Sequence, residues 1–74
     1  MVNSNSELEE FGLRLEKYIR DNGYTNRAFA KSVGVREATI SQYIYGTRYP
    51  QVRLLIRICK KHNISADWLL GIKK

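Results

Sequence analysis

The feature that most constrains this chain is a single glycine, Gly34, between two short helical stretches at 26–33 and 36–45. A helix of about eight residues is marginal on its own in water, so each stretch needs tertiary packing to hold it. The small side chain of Ala30 lets the two helices approach closely, and Gly34 supplies a tight turn. Ile40 fills the angle between them. The sequence therefore predicts two helices packed at an angle, with the outer face of the second left free.

The apolar spacing in the rest of the chain is also helical and predicts an all-α fold. Apolar residues recur at three- and four-residue steps over 6–22, 51–62 and 65–70, whereas strand-like alternation is scarce. Gly23 ends the first helix, and Pro50 precedes the fourth. The predicted inward-facing residues are Leu8, Phe11, Leu15, Tyr18, Ile19, Phe29, Ala30, Val33, Val35, Ile40, Tyr43, Val52, Leu55, Ile56 and Cys59.

Two hydroxyl side chains stand where helix N-caps are needed. Thr25 precedes the second helix, and Ser65 precedes the fifth. Asp67 falls in the first turn of the fifth helix, where the helix dipole favours a negative charge. These residues fix two of the predicted helix starts.

Charge is unevenly distributed along the chain, which has a formal net charge of +6. Residues 1–21 hold five acidic and three basic residues, whereas residues 22–74 hold ten basic residues and only Glu37 and Asp67 as acidic ones. A predominantly basic segment of this kind favours binding to a polyanion. Nucleic acid is the first candidate partner and an anionic membrane is the second. No apolar run approaches the ~20 residues of a membrane span, so we expect no membrane partner.

The length of 74 residues leaves room for one domain. We predict a flexible N-terminus at 1–5, the domain at 6–71 and a short basic tail at 72–74. Cys59 is the single cysteine, and a secreted domain of this size would usually need disulfides. The first five residues also lack the basic start and apolar stretch of a secretory signal. The expected compartment is therefore the cytoplasm.

Five segments match, in order and in spacing, segments that recur in one protein family. They are F-G-L-R-L at 11–15, N-G-Y-T-N-R-A-F-A-K-S-V-G-V at 22–35, A-T-I-S at 38–41, G-T-R-Y-P at 46–50 and I-S-A-D-W-L-L-G at 64–71. On these residues the chain resembles the Cro/CI and Xre type of phage-repressor-like helix-turn-helix DNA-binding domains. The resemblance runs from Phe11 to Gly71, about four-fifths of the chain.

The resemblance implies a five-helix, lambda-repressor-like bundle in which 36–45 is the recognition helix. It also implies binding to double-stranded DNA as a homodimer on a near-palindromic operator, with recognition helices about 34 Å apart. We therefore expect a sequence-specific transcriptional regulator that acts as a repressor. The alternative is a protein-interaction module on the same fold, such as an antitoxin or an anti-repressor partner, because a fold does not fix a function.

Carried over position by position, the resemblance assigns two sets of DNA contacts. The base-reading residues are Glu37, Ala38, Ser41 and Gln42. The residues expected at the DNA backbone are Asn26, Arg27, Arg36, Thr39, Tyr45, Thr47, Arg48, Tyr49 and Arg53. Their chemistry agrees: Gln42 can pair bidentately with adenine or contact another base through its amide, Glu37 can accept from a cytosine amino group, and Ala38 can touch a thymine methyl. Arginines and neutral hydrogen-bond donors, such as hydroxyl groups, are suited to contacting the phosphate oxygens of DNA.

Three positions depart from the family pattern. Arg36 stands where a capping Ser or Thr is common, and Asn26 is one methylene shorter than the usual Gln. Ile44 stands where a Glu often pairs with the arginine that is Arg14 here. Ile44 therefore either extends the core or forms an exposed apolar spot, and Arg14 points to solvent or to another acid.

A few residues invite chemical roles that the sequence does not otherwise support. Cys59 and His62 lie three apart on one predicted helix, yet no third ligand accompanies them, so we expect a structural thiol and a helix-end histidine. Trp68 is expected in the core or at a dimer interface rather than stacked on a base. No catalytic site, metal, cofactor or small-molecule ligand is expected, and we predict that the chain is not an enzyme.

Overall fold

The computed structural model describes residues 4–72, which form five α-helices and no strand. The helices are α1 (Ser4–Asp21), α2 (Asn26–Ser32), α3 (Glu37–Ile44), α4 (Val52–His62) and α5 (Ala66–Leu69). Helix α1 packs against α3 and α5, α2 packs against α3, and α4 packs against α5. The predicted all-α, five-helix fold is confirmed. No helix in this range is long and apolar enough to cross a membrane.

The helix ends differ from the predicted ones by a few residues. Helix α1 begins at Ser4, so it includes residues 4 and 5, which were assigned from the sequence to the N-terminal segment. No glycine or proline separates them from the amphipathic stretch that follows, so the helix extends back through them. Residues 1–3, and Lys73 and Lys74 of the predicted basic tail, lie outside the described residues.

Two of the helix starts are closed by side chains, as the sequence predicts. The Thr25 hydroxyl accepts from the Ala28 amide at 3.0 Å at the start of α2, and the Ser65 hydroxyl accepts from the Trp68 amide at 3.3 Å at the start of α5. Arg36 makes no side-chain capping bond at the start of α3. The geometry of α3 therefore depends on packing.

The core lies where α1, α2 and α3 meet, with α4 and α5 closing it. Its largest fully buried side chains are Leu15, Ile19, Phe29, Val33, Ile40, Tyr43, Ile58 and Leu69. The rings of Phe11 and Tyr43 meet edge to face with centroids 5.8 Å apart, an arrangement that aromatic pairs prefer. These contacts confirm the inward faces predicted for the first three helices.

The predicted inward face of α4 is partly wrong. Val52 and Ile56 are 71% and 50% exposed, whereas Leu54 and Ile58 are buried. The sequence of α4 carries two apolar stripes at helical spacing, so pattern alone could not choose between them. The stripe through Leu54 and Ile58 continues to His62, whose ring stacks on the buried Phe29, and this contact favours the observed register.

Ile44 and Arg14 find separate partners. Ile44 is half-buried against the core, so it extends the core. The Arg14 guanidinium bonds the Glu10 carboxylate at 2.6 Å, one turn earlier on α1, and lies 5.5 Å from the centre of the Trp68 ring. Arg14 therefore pairs with Glu10 instead of the Glu that the family often has at position 44. Ile44, which occupies that position here, packs against the core.

Gly12 marks the closest approach of α1 to α3. A Cβ placed on Gly12 would overlap the carbonyl oxygen of Tyr43 and lie 2.6 Å from that of Ile44. Both are backbone atoms at the C-terminal end of α3. The absence of a side chain at Gly12 therefore sets where this end of α3 sits.

His62 joins three helices behind the α2–α3 pair. Its ring stacks on Phe29 with centroids 4.5 Å apart. The Ser32 hydroxyl donates to the Phe29 carbonyl at 2.6 Å, so it accepts from Nε2–H of His62 at 2.8 Å. Nδ1 is then unprotonated and accepts from the Tyr18 hydroxyl at 3.2 Å. This network holds the neutral Nε2–H tautomer.

The stability of the protein should depend on the charge of His62. Desolvation, and then the charge of Lys61, lowers the pKa of His62 below its ordinary value of 6.5. The unfolded chain then binds the proton more tightly than the folded one, so stability is fully present above pH 6.5 and decreases as the pH falls towards the folded pKa. Urea unfolding between about pH 7.5 and 5.5 should show this decrease.

The variant His62→Gln supplies the control for this pH dependence. His62 is the single histidine of the chain, so the variant should lose most of the dependence in that window while being less stable throughout. A wild-type stability that stayed level, or rose on acidification, would contradict the assignment.

Cys59 and His62 do not share a site. Both ring nitrogens of His62 contact Tyr18 and Ser32, and burial raises the pKa of the half-buried Cys59 thiol, which keeps it protonated. Among the side chains that the structure describes, no group of three or more His, Cys, Asp or Glu could hold a metal ion.

Candidate nucleic-acid interface

The turn between α2 and α3 is closed by backbone hydrogen bonds. The amides of Val33 and Val35 both bond the carbonyl of Ala30, at 3.2 and 3.0 Å. Gly34 makes this reversal with φ at +75°, a conformation that glycine adopts without strain. The predicted arrangement of two short helices joined at Gly34 is therefore present, and it turns one face of α3 outward.

The four predicted base-reading residues lie on this outward face. Glu37, Ala38 and Gln42 are exposed, and Ser41 is half-buried. Positions 37, 38, 41 and 42 are one turn apart in pairs, so they form a single patch on a helix. The buried Ile40 and Tyr43 lie on the opposite side. The structure brings these four side chains together on one surface, and their contacts with bases stay a prediction.

The loop after α3 folds back on the end of that helix. The amide and the hydroxyl of Thr47 both bond the Gln42 carbonyl, at 3.0 and 3.1 Å. Nη1 of Arg48 lies 3.1 Å from Oε1 of Gln42. Tyr45 and Tyr49 are 77% and 54% exposed. The loop residues expected at the DNA backbone therefore border the patch on α3.

A positively charged cleft of about 260 Å³ separates α3 from α4. Thr39 lines it from α3, Arg53 and Arg57 line it from α4, and Arg48 lines it from the loop between the two helices. None of the residues that line it is acidic. Guanidinium groups and a hydroxyl converging on one cleft suit a phosphate.

The remaining predicted backbone residues are placed less uniformly. Arg27 and Arg36 are exposed on α2 and at the start of α3. Oδ1 of Asn26 accepts from Nη1 of Arg20 at 2.9 Å, so the amide oxygen is held by α1 and the NH₂ group is the part of Asn26 that can donate elsewhere. A phosphate contact by Asn26 stays a prediction.

Arg57 belongs to this surface and was missed at the level of sequence. Its Nη1 donates to the carbonyl of Val33 at 3.0 Å, which satisfies a backbone acceptor at the C-terminal end of α2. Arg57 thereby ties α4 to the turn between α2 and α3. The sequence signal that could have identified Arg57 is its position four residues after Arg53, because this spacing puts two arginines on one face of a helix.

Charge separates across the molecule as the sequence suggested. Five of the seven acidic residues lie on α1, and Asp67 lies on α5. Glu37 is the acidic residue on the outward face of α3. Five of the seven arginines lie on α2, before α3, after α3 and on α4, and the other two, Arg14 and Arg20, lie on α1. The surface around α3 is therefore predominantly basic, with one carboxylate in its middle.

The fold and this surface define a helix-turn-helix protein in which α2 and α3 are the two helices of the motif. A family model described as helix-turn-helix matches residues 15–69, about three-quarters of the chain. The chain belongs to this helix-turn-helix family, of the Xre and Cro/CI type, as the five matching segments implied.

Two proteins of Bacillus subtilis (strain 168) are similar to the chain. The uncharacterized HTH-type transcriptional regulator YazB is 32% identical over 68 residues, which cover 92% of this chain and 99% of YazB. The HTH-type transcriptional regulator ImmR is 30% identical over 60 residues, which cover 81% of this chain and 47% of ImmR. The chain thus spans about half the length of ImmR. The expectation that this chain is not an enzyme agrees with its membership of a helix-turn-helix family of transcriptional regulators.

Proposed function

We propose that this protein is a sequence-specific DNA-binding transcriptional regulator, acting as a repressor, that reads the major groove with α3. The observation that carries the proposal is the exposed patch of Glu37, Ala38, Ser41 and Gln42, bordered by the basic cleft. A major groove is about 12 Å wide and admits one helix. The names of YazB and ImmR as transcriptional regulators support the same function.

The proposal divides the DNA contacts between two parts of the surface. The patch on α3 contacts base edges, and the surrounding arginines, hydroxyls and Asn26 contact phosphates on either side of the groove. Glu37 would be repelled by a phosphate but accepts from a cytosine amino group, so it belongs to the base-reading part. In this arrangement the arginines supply affinity and the patch supplies sequence preference.

The regulator is proposed to act as a homodimer on a near-palindromic operator. Two-fold symmetric partners place their recognition helices about 34 Å apart, which is one turn of DNA. Apolar side chains support a second copy as the partner: Ile72 is 72% exposed beside a groove of about 600 Å³ that Leu70 and Phe11 also line. We place the interface at α5 and the residues that follow it.

Replacing Gln42 by alanine should change the preferred base at one position of each half-site. The lost contact should cost about 1–3 kcal/mol at that position and little elsewhere. The measurement is a gel-shift competition between operators that differ at single positions. Leu13→Ala, an exposed change on α1, is the control and should leave all preferences intact.

The same experiment separates DNA reading from the protein-interaction alternative. An unchanged preference in Gln42→Ala would remove Gln42 from the reading patch. If the wild-type protein failed to shift any duplex, the protein-interaction module would become the better account of the fold.

A further inference from the structure

The pair formed by Gln42 and Arg48 fixes which way the Gln42 amide points. Nη1 of Arg48 lies 3.1 Å from the amide of Gln42, on the exposed side of α3. A guanidinium has donors and no acceptor, so the amide atom that faces it is the oxygen Oε1. The NH₂ group of Gln42 is therefore turned away from Arg48.

The backbone of the loop keeps this pair together. Gly46 reverses the chain with φ at +73°, and Thr47 then bonds the Gln42 carbonyl through both its amide and its hydroxyl. Arg48 follows directly and is returned alongside α3. The approach of the two side chains is thus built into the end of the helix.

The pairing changes what Gln42 can read. A free Gln side chain pairs with adenine because its oxygen accepts from N6 while its NH₂ donates to N7. Here a positive guanidinium lies beside Oε1, where the amino group of adenine would have to approach. Guanine presents two acceptors, O6 and N7, at the corresponding positions. Both Nε2 of Gln42 and the neighbouring guanidinium attract those acceptors.

We propose that Gln42 and Arg48 act as one donor unit that selects guanine over adenine at the base position that Gln42 reads. This inference rests on the proposed function, in which α3 enters the major groove. It gives Arg48 a role in specificity beyond the phosphate contact expected for it. It also replaces the adenine pairing available to an isolated Gln42.

The test is selection of binding sites from a random duplex pool with the wild-type protein and three variants. Arg48→Met keeps a long, unbranched side chain but removes every donor. Gln42→Ala identifies the position that Gln42 reads. Arg53→Met makes the same change at an arginine of the cleft that does not contact Gln42, so it is the matched control. Circular dichroism verifies that each variant is folded.

We expect guanine at the Gln42 position with the wild-type protein. Arg48→Met should lower the guanine-to-adenine ratio on the order of tenfold, because the guanidinium that repels the adenine amino group beside Oε1 and attracts guanine is then gone. Gln42→Ala should also lose the guanine preference. Arg53→Met should bind all sites more weakly and retain the preference.

Several results would overturn the inference. The inference would be overturned if the wild-type protein selected adenine at the base position that Gln42 reads. It would also be overturned if Arg48→Met kept the guanine preference. If Arg48→Met lost a guanine preference while Gln42→Ala changed the preference at no position, Arg48 would read the base alone. If the wild-type protein enriched no sequence, the proposed function itself would fail together with this inference.

Discussion

Replacing Gly12 by alanine should destabilise the protein by about 2–3 kcal/mol. The added methyl group would overlap the Tyr43 carbonyl oxygen and lie 2.6 Å from that of Ile44, so the end of α3 must move. In an unobstructed helix the same change would stabilise by up to about 1 kcal/mol, so the expected sign is reversed. In thermal unfolding the midpoint should fall by about 10–20 °C.

Gly23→Ala separates this steric effect from the general loss of a glycine. Gly23 has φ at +77°, and a methyl group added there would meet no atom within 4 Å, so its substitution strains the backbone without a clash. We expect a cost of about 1 kcal/mol there. A Gly12→Ala protein as stable as the wild type, or more stable than Gly23→Ala, would show that α1 and α3 do not meet as described.

The affinity for DNA should fall about 10⁵-fold between 50 and 200 mM salt if the proposed contacts are made. Each subunit offers about five phosphate contacts, and each contact releases counterions when it forms. A dimer should therefore show a log–log slope of affinity against salt on the order of −9. Fluorescence anisotropy with a labelled operator measures this slope directly.

Matched charge removals locate the source of this salt dependence. Arg53→Gln, in the cleft between α3 and α4, should reduce the slope by about 1 for each subunit. Lys17→Gln removes one charge from the exposed face of α1, where Lys17 pairs with Asp21, and should leave the slope nearly unchanged. A wild-type slope close to zero would contradict the proposed phosphate contacts, whatever the variants do.

Local chemistry explains why much of the fold was predictable. Thr25 and Ser65 cap helices because their hydroxyls lie three residues before the amides that they accept from, which is a short-range relation. Gly34 makes the turn for an equally local reason, its positive φ. The inward face of α1 follows from a single apolar stripe.

Longer-range relations account for what was wrong or missed in the fold. Helix α4 carries two apolar stripes, and only the stacking of His62 on Phe29, 33 positions earlier in the chain, shows which stripe is buried. The role of Gly12 depends on the backbone of α3, which lies some 30 residues away. Neither relation can be detected from a short stretch of neighbouring residues in the sequence.

The candidate site also combines features that local sequence predicts with features that depend on the three-dimensional structure. The patch of residues 37, 38, 41 and 42 could be predicted because helical spacing decides which side chains share a face. Arg57 was missed because its partner, the Val33 carbonyl, is a backbone atom on another helix. The pairing of Gln42 with Arg48 depends on how the loop reverses at Gly46, which the residue types alone do not specify.

Selection from a random duplex pool tests most directly whether the outward face of α3 reads DNA sequence. We predict that the wild-type protein enriches a near-palindromic site with half-sites about one helical turn apart. A protein with Glu37, Ser41 and Gln42 all replaced by alanine should fold normally, because these side chains lie outside the core, yet enrich no such site. The same enriched site from both proteins would show that this face does not read DNA sequence.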